Sequence, residues 1–336
     1  PIIPPDAVIE VVSTGNYRFV EGPALAPDGS IYFSDIPNRS IHRYDHSTGE
    51  TMLFTAASKT SNGLAFYGTQ LIQCRHGGRD VFVQPTSPGE PADTHAGRSV
   101  ATSYDALRLN SPNDVVIAEN NLYFTDPRYG NRESMEMATE GVYFLAGLDD
   151  KPAELIRVID DLVRPNGIGI SPDGDTLYVN DNGDKKIWAY PILEPGKLGE
   201  AQLLNDLADL GGPDGMTVDP KGRIYTTIYG QGVLILSPDG ERLGFLETGT
   251  QTTNCVFGAD GRTLSVTAEK SLKRVVLNTG VAADHCSLER RRSCHLRTIA
   301  GIFLPNSQAK IGRTIRSSSQ PMPKKTSGIR SAGLIT

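Results

Sequence analysis

The chain has 336 residues, a net charge of −6, 35 glycines and 22 prolines. It contains no apolar run approaching the about 18 residues a membrane-crossing helix needs, and its acidic balance argues against nucleic acid as the main partner. Many short β-prone runs divided by Gly and Pro fit an all-β protein, and the length suits one large β domain.

Charge is unevenly spread. From Val281 onward there are ten Lys and Arg against two Asp and Glu, which leaves 23 basic and 37 acidic residues before it. The expectation is an acidic body over 8–280 and a basic, disordered extension over 281–336, which could also meet an anionic surface. The chain opens Pro1-Ile2-Ile3-Pro4-Pro5, with no basic segment leading an apolar one. No signal peptide is expected and the location reads as cytoplasmic; a processed or trimmed start keeps secretion open. The four cysteines, Cys74, Cys255, Cys286 and Cys294, lack zinc-type spacing. Cys74 and Cys255 fall in β-prone runs and read as buried thiols.

In chain order, Val8 to Ser13 is a β-prone run too short to form a sheet of its own. One phrase then occurs six times: a polar residue, a short apolar strand, a tight turn and a second strand. Its leaders are Glu21, Asn62, Asn113, Asn166, Asp214 and Asn254, about 40 to 53 residues apart. That is the spacing of propeller blades rather than of helical repeats. Pro27-Asp28-Gly29, Pro172-Asp173-Gly174, Asp219-Pro220-Lys221-Gly222 and Ala259-Asp260-Gly261 supply the turns between first and second strands. Gly takes the positive-φ position in such turns and Pro or Asp starts them. Pro238-Asp239-Gly240 reads as a later turn of the fifth blade. The copy led by Asn254 shows three strands, so the N-terminal run is expected to supply its fourth. A ring closed in this way leaves no open edge. The fold predicted is a six-bladed β-propeller closed by an N-terminal strand.

The first strand of each blade lines the central channel. Six leaders at the starts of those strands would converge at one end of the axis. All are oxygen donors, four amides and two carboxylates, which is what a hard divalent cation needs. Asn and Asp also start strands because they tolerate the left-handed region and form Asx-turns. That simpler explanation covers one or two copies, and covers Glu21 or the full set poorly. Connections after second strands would surround the same end. They hold Asp35, His76, Asp126, Arg128, Tyr129 and Asp181. His76 suits a substrate contact or a hydrogen-bonded loop position equally, while Asp126 and Asp181 fit the bonding of turn amides better than catalysis. The longest connection, 127–140, could fold over the site as a lid, with Arg128 and Tyr129 reaching in to bind substrate.

Several motifs stand in order: Glu21-Gly22-Pro23, Arg108-Leu109-Asn110-Ser111-Pro112-Asn113-Asp114, Phe124-Thr125-Asp126-Pro127, Pro165-Asn166-Gly167 and Pro213-Asp214-Gly215-Met216. With them, over about 15–280, the chain resembles the senescence-marker-protein, gluconolactonase and luciferin-regenerating-enzyme family, most of all its microbial gluconolactonase-like branch. The resemblance implies one catalytic divalent metal, calcium ahead of zinc, magnesium or manganese. It matches Glu21, Asn166 and Asp214 to the metal ligands and Asn113 to a polar residue that contacts substrate and can approach the metal. Animal members carry Arg two positions before that Asn; here the residue is Ser111, with Arg108 just upstream.

Opening a lactone requires a polarised carbonyl, a water and a stabilised oxyanion, and a dication can serve the first and last. Asp214 is the candidate general base as well as a ligand, the alternative being that it is a ligand only and the metal presents hydroxide directly. There is no Gly-Xaa-Ser-Xaa-Gly nucleophile motif and no phosphate loop. The expected activity is divalent-metal-dependent hydrolysis of a sugar-acid lactone, with a small-molecule partner. An aryl-ester or phosphotriester hydrolase and a non-catalytic binding propeller are the alternatives. The converging pair Glu21 and Asp214 favours the enzyme, because a scaffold has no use for charge on its axis.

Overall fold

A computed structural model describes residues 1–279 except 94, 149–153 and 250. The extension assigned to 281–336, with Cys286 and Cys294, lies outside the described residues. Six antiparallel sheets follow one another along the chain, as the repeated leaders require. Blade one runs Val20–Leu25, Ile31–Asp35, Ser40–Tyr44, Thr51–Thr55; blade two Ser61–Tyr67, Gln70–Arg75, Asp80–Pro85, Arg98–Ala101. Blade three runs Val115–Ala118, Asn121–Asp126, Gly141–Leu145, Leu155–Ile159; blade four Pro165–Ile170, Thr176–Asp181, Lys186–Glu194, Gln202–Asp206. Blade five runs Pro213–Val218, Ile224–Ile228, Gly232–Leu236, Arg242–Glu247. Blade six joins Thr252–Phe257, Thr263–Ala268 and Ser271–Val276 to Glu10–Thr14 from the other end of the chain. Thr14 pairs with Ser271 and Glu10 with Arg274, so the N-terminal strand closes the ring. A short hairpin, Ser103–Tyr104 with Leu107–Arg108, and the strand Lys197–Leu198 are additions to the regular pattern.

Apolar side chains fill the spaces between neighbouring blades. Ile72 and Val81 of blade two meet Phe124 and Tyr143 of blade three, all fully buried. Leu277 and Val275 of blade six pack with Tyr225 and Val233 of blade five. Burying a side chain of this size contributes about 1.5–3 kcal/mol, so a run of such layers holds the ring shut.

A second, polar ring runs inside the apolar one. Ser34 Oγ donates to the Asn62 carbonyl at 2.9 Å, and Gly63 N to the Asn113 carbonyl at 2.7 Å. Thr125 Oγ1 donates to the Asn166 carbonyl, Asn180 Nδ2 to the Asp214 carbonyl and Thr227 Oγ1 to the Thr253 carbonyl, each at 2.7 Å. Thr253 Oγ1 then reaches the Val20 carbonyl at 2.9 Å, completing the circle. Every blade thus binds the head of the next blade's inner strand, where buried backbone carbonyls need partners.

The heads of those strands carry register shifts, between Glu21 and Ala24, Ser61 and Leu64, Pro165 and Ile168, Pro213 and Met216, and Thr252 and Asn254. A bulge re-aims the side chain next to it, here the leader. Four leaders are followed by glycine. A Cβ on Gly63 or Gly167 would lie 2.5 or 2.3 Å from the carbonyl oxygen of the next blade's leader. The backbones approach so closely there that no side chain fits.

Candidate active site

Five of the six leaders, Glu21, Asn62, Asn113, Asn166 and Asp214, line one cavity of about 620 Å³ at the end of the channel. Phe19, Ile36, Pro37, His76, Tyr129, Asn182, Lys185, Gly212 and Tyr229 complete its walls. Asn254 is turned below this cavity, into the next stretch of the channel. The leaders are held by what precedes them. Asp35 accepts from the amides of Arg18 and Phe19, both at 3.2 Å, two to three residues ahead of Glu21. Asp126 accepts from Asn110 N at 2.7 Å, ahead of Asn113. Asp181 accepts from Val163 N and Arg164 N at 3.1 Å, ahead of Asn166. Asp126 and Asp181 therefore bond turn amides, as their positions at strand ends suggested.

The amides form a chain. Asn62 Nδ2 donates to Asn113 Oδ1 at 2.5 Å, Asn113 Nδ2 to Asn166 Oδ1 at 2.6 Å, and Asn166 Nδ2 to Tyr129 Oη at 2.8 Å. His76 Nε2 lies 3.1 Å from Asn113 Oδ1, and its ring stacks on Tyr129 with centroids 6.1 Å apart. Burial lowers the His76 imidazole to about 4, so it is neutral at pH 7. Burial also raises the Tyr129 phenol, reinforced by the Asp214 charge, and keeps it a proton donor.

The two carboxylates sit differently from their surroundings. Burial raises Glu21 well above the usual range, and the charges of Asp214 and Asp114 raise it further. Burial lifts Asp214 to about 7, against a lowering hydrogen bond from Asn166. None of the ion pairs among the described residues includes Glu21, Asp114 or Asp214. Buried carboxylates without a cation are costly. A divalent ion held by oxygens is the group this donor set fits. Among the described residues no cluster of three or more His, Cys, Asp and Glu is arranged to hold a metal, so the Asn166 amide oxygen is needed to complete a ligand set.

The strap 127–140 divides in two. Tyr129 enters the cavity. The Arg128 guanidinium turns away from it, donating to the Asn110 carbonyl at 2.7 Å and the Asn131 carbonyl at 2.9 Å, and to Ser134 Oγ. Buried Arg79 grips the outer half through the Ser134 carbonyl at 3.2 Å and Glu136 at 3.3 Å, and buried Met137 packs under Tyr143. Ser111 Oγ donates to the Pro127 carbonyl and accepts from Tyr129 N at 3.1 Å, so it braces the strap.

The sequence pattern of the SMP-30/Gluconolactonase/LRE-like region matches residues 19–270. The chain belongs to this family. It is similar to a gluconolactonase of Zymomonas mobilis, 29% identical over 309 residues that cover 82% of this chain and 84% of that protein. Among solved structures it is similar to a gluconolactonase of Xanthomonas campestris, with 28% identity, a TM-score of 0.72, and 81% and 90% of the two chains covered. Regucalcin of Agrobacterium tumefaciens, described as a calcium-binding protein, shares the fold at a TM-score of 0.69 and 22% identity, over 82% of this chain and 96% of its own. No helix among the described residues is long and apolar enough to cross a membrane.

One residue of the site escaped the sequence reading. Asp114 is a third carboxylate beside the channel, only 7% exposed. Its signal lay in the repeat: the position after each leader holds Gly22, Gly63, Gly167 and Gly215, but Asp114 in blade three and Cys255 in blade six.

Proposed function

We propose that this member of the family opens the ring of a sugar-acid lactone, such as an aldonolactone, by hydrolysis at the cavity lined by the leaders, and that it needs one divalent cation to do so. The observation that carries the reading is the pair of carboxylates, buried Glu21 and half-buried Asp214, brought together from blades one and five with Asn166 lining the same cavity, and in none of the ion pairs among the described residues. Glu21, Asn166 and Asp214 would hold the ion. An all-oxygen set favours calcium over zinc, in keeping with the calcium-binding description of the regucalcin neighbour. When bound, the cation supplies the electrophile that polarises the lactone carbonyl.

The chain's own groups supply the rest. Asn113 and the Tyr129 hydroxyl border the same space as the carboxylates and orient the lactone by hydrogen bonds. Arg128 contributes through the strap, by fixing the loop from which Tyr129 projects. Asp214 takes a proton from the attacking water as its oxygen bonds to the carbonyl carbon. The ring C–O bond then breaks, and Asp214 returns the proton to the departing ring oxygen. The named activities of the gluconolactonases at 28% and 29% identity support this substrate class.

A substrate panel tests it. Acid release is followed by pH-stat with calcium-loaded protein on aldonolactones, aryl acetates and a phosphotriester. Aldonolactones are expected to be opened with the highest kcat/KM. Faster turnover of the aryl ester or phosphotriester moves the activity to that class, and no turnover of any member leaves a binding propeller.

A further inference from the structure

Where blades one, two, four and five carry glycine after the leader, blade three carries a carboxylate. The structure makes room for it. A Cβ on Gly63 would lie 2.5 Å from Asp114 Oδ1, and a Cβ on Gly215 would lie 2.0 Å from Asn254 Cγ. Those two glycines leave the space in which Asp114 from blade three meets Asn254 from blade six, across the channel. Asn254 Nδ2 donates to Asp114 Oδ2 at 3.2 Å, while Asp114 Oδ1 accepts from Val115 N at 3.0 Å. The Asn254 amide also hydrogen-bonds the Glu21 carboxylate. The pair lines the lower cavity of about 300 Å³, and the bond to Glu21 links it to the upper one, so it forms a bar between them.

The bar places a third carboxylate in the channel, and none of the ion pairs among the described residues includes it. Both of its oxygens accept, from Val115 N and from Asn254 Nδ2, which a single amide oxygen cannot do, so the bar carries a buried negative charge along with its hydrogen bonds. A further observation points to a ligand above the bar: Asn62, 5% exposed and lining the upper cavity, has a buried Oδ1 with no hydrogen-bond partner.

We propose that Asp114 is a non-ligating anion of the cation site: through Asn254 it fixes the Glu21 carboxylate, and its charge raises the site's affinity for a divalent ion. The inference rests on the reading of Glu21, Asn166 and Asp214 as that site. Charge acts beyond ligand distance in a low-dielectric interior, where each tenfold change in affinity corresponds to about 1.4 kcal/mol. Asp114 is a positioning residue on this account, and its removal shifts two properties in opposite directions. The metal-free protein loses an uncompensated charge, while the cation loses an attraction.

The test is calorimetric titration of calcium chloride into chelator-stripped protein at pH 8, with the Tm of the metal-free protein measured alongside, for wild type and Asp114→Asn. The expected result is calcium binding weakened about tenfold or more in the variant, with a metal-free Tm equal to or above wild type. Asp114→Ser replaces Asn if that variant does not fold. Equal calcium affinity in wild type and variant overturns the inference and leaves the cation site standing. Weaker binding accompanied by a matching fall in metal-free Tm overturns it too, and makes Asp114 a brace alone. Wild type that binds no divalent ion at all defeats the cation reading itself.

Discussion

Gly167→Ala probes how the ring positions the site. Gly167 follows Asn166 at the head of blade four, and an added Cβ would lie 2.3 Å from the Asp214 carbonyl oxygen and 2.8 Å from Asn180 Nδ2 and Gly215 C. Two of these atoms are backbone, and the Asn180 to Asp214 hydrogen bond of 2.7 Å ties the third to them. Relief requires the inner strands of blades four and five to separate by about 1 Å, an overpacking that costs about 1–3 kcal/mol. Losing the interblade bond adds about 1 kcal/mol. Gly169→Ala, two residues along the same strand, is the control. Its Cβ would meet Met216 Sδ at 3.0 Å and Val218 Cγ2 at 3.1 Å, side-chain atoms that can yield. At about 2–4 °C per kcal/mol for a domain of this size, Gly167→Ala should lower the Tm of metal-free protein by about 4–16 °C and Gly169→Ala by much less. Calorimetric melting curves measure both. Equal Tm values for the two variants would refute the claim that backbone contact at the leaders holds the blades in register. Calcium titration of Gly167→Ala should also show weaker binding, since Asn166 and Asp214 flank the disturbed contact.

At saturating calcium, Asp214→Asn should retain the ion yet lose about 10²-fold or more in kcat; full recovery of the rate at high calcium would make Asp214 a ligand only. Tyr129→Phe removes the hydroxyl that accepts from Asn166, and kcat/KM on an aldonolactone should fall about 3–10-fold, the worth of one hydrogen bond, with an unchanged value showing that the hydroxyl does not meet substrate. Asp126 carries a pH signature: burial raises its carboxyl to about 7, against about 3.9 in an unfolded chain. Its favourable contribution is complete below about pH 4 and is lost as pH rises through about 7, worth at most about 4 kcal/mol. The Tm of Asp126→Asn relative to wild type should therefore rise between pH 5 and pH 8, and a pH-independent difference would contradict the assignment.

The ring was legible because its signals are local and repeated. Leaders 40 to 53 residues apart, Pro-Asp-Gly turns and a blade short of one strand suffice to predict six blades and the pairing of Glu10–Thr14 with Ser271–Val276. The convergence of Glu21, Asn113, Asn166 and Asp214 on one cavity follows from the same repetition. What escaped depends on contacts between distant residues. The direction of Asp114 is set by the space left at Gly63 and Gly215 and by Asn254, which lies 140 residues away in sequence. The path of the strap, and with it the outward turn of Arg128, is decided by Arg79 and by the burial of Met137. A loop's composition shows its polar groups but not which partners will take them. Asn254 was legible as a leader, yet its turn below the cavity follows from the bar it forms with Asp114.

The dependence of turnover on the cation tests the account most directly. Aldonolactone opening is measured by pH-stat on one preparation as purified, after removal of divalent ions by chelation, and after reloading with calcium, zinc, magnesium or manganese in turn. The chelated protein should fall to the uncatalysed rate and calcium should restore it, with Glu21→Gln binding calcium more weakly and needing more of it. Full activity in protein shown by elemental analysis to hold no divalent ion would contradict this dependence, and would leave Glu21 and Asp214 without the role assigned to them here.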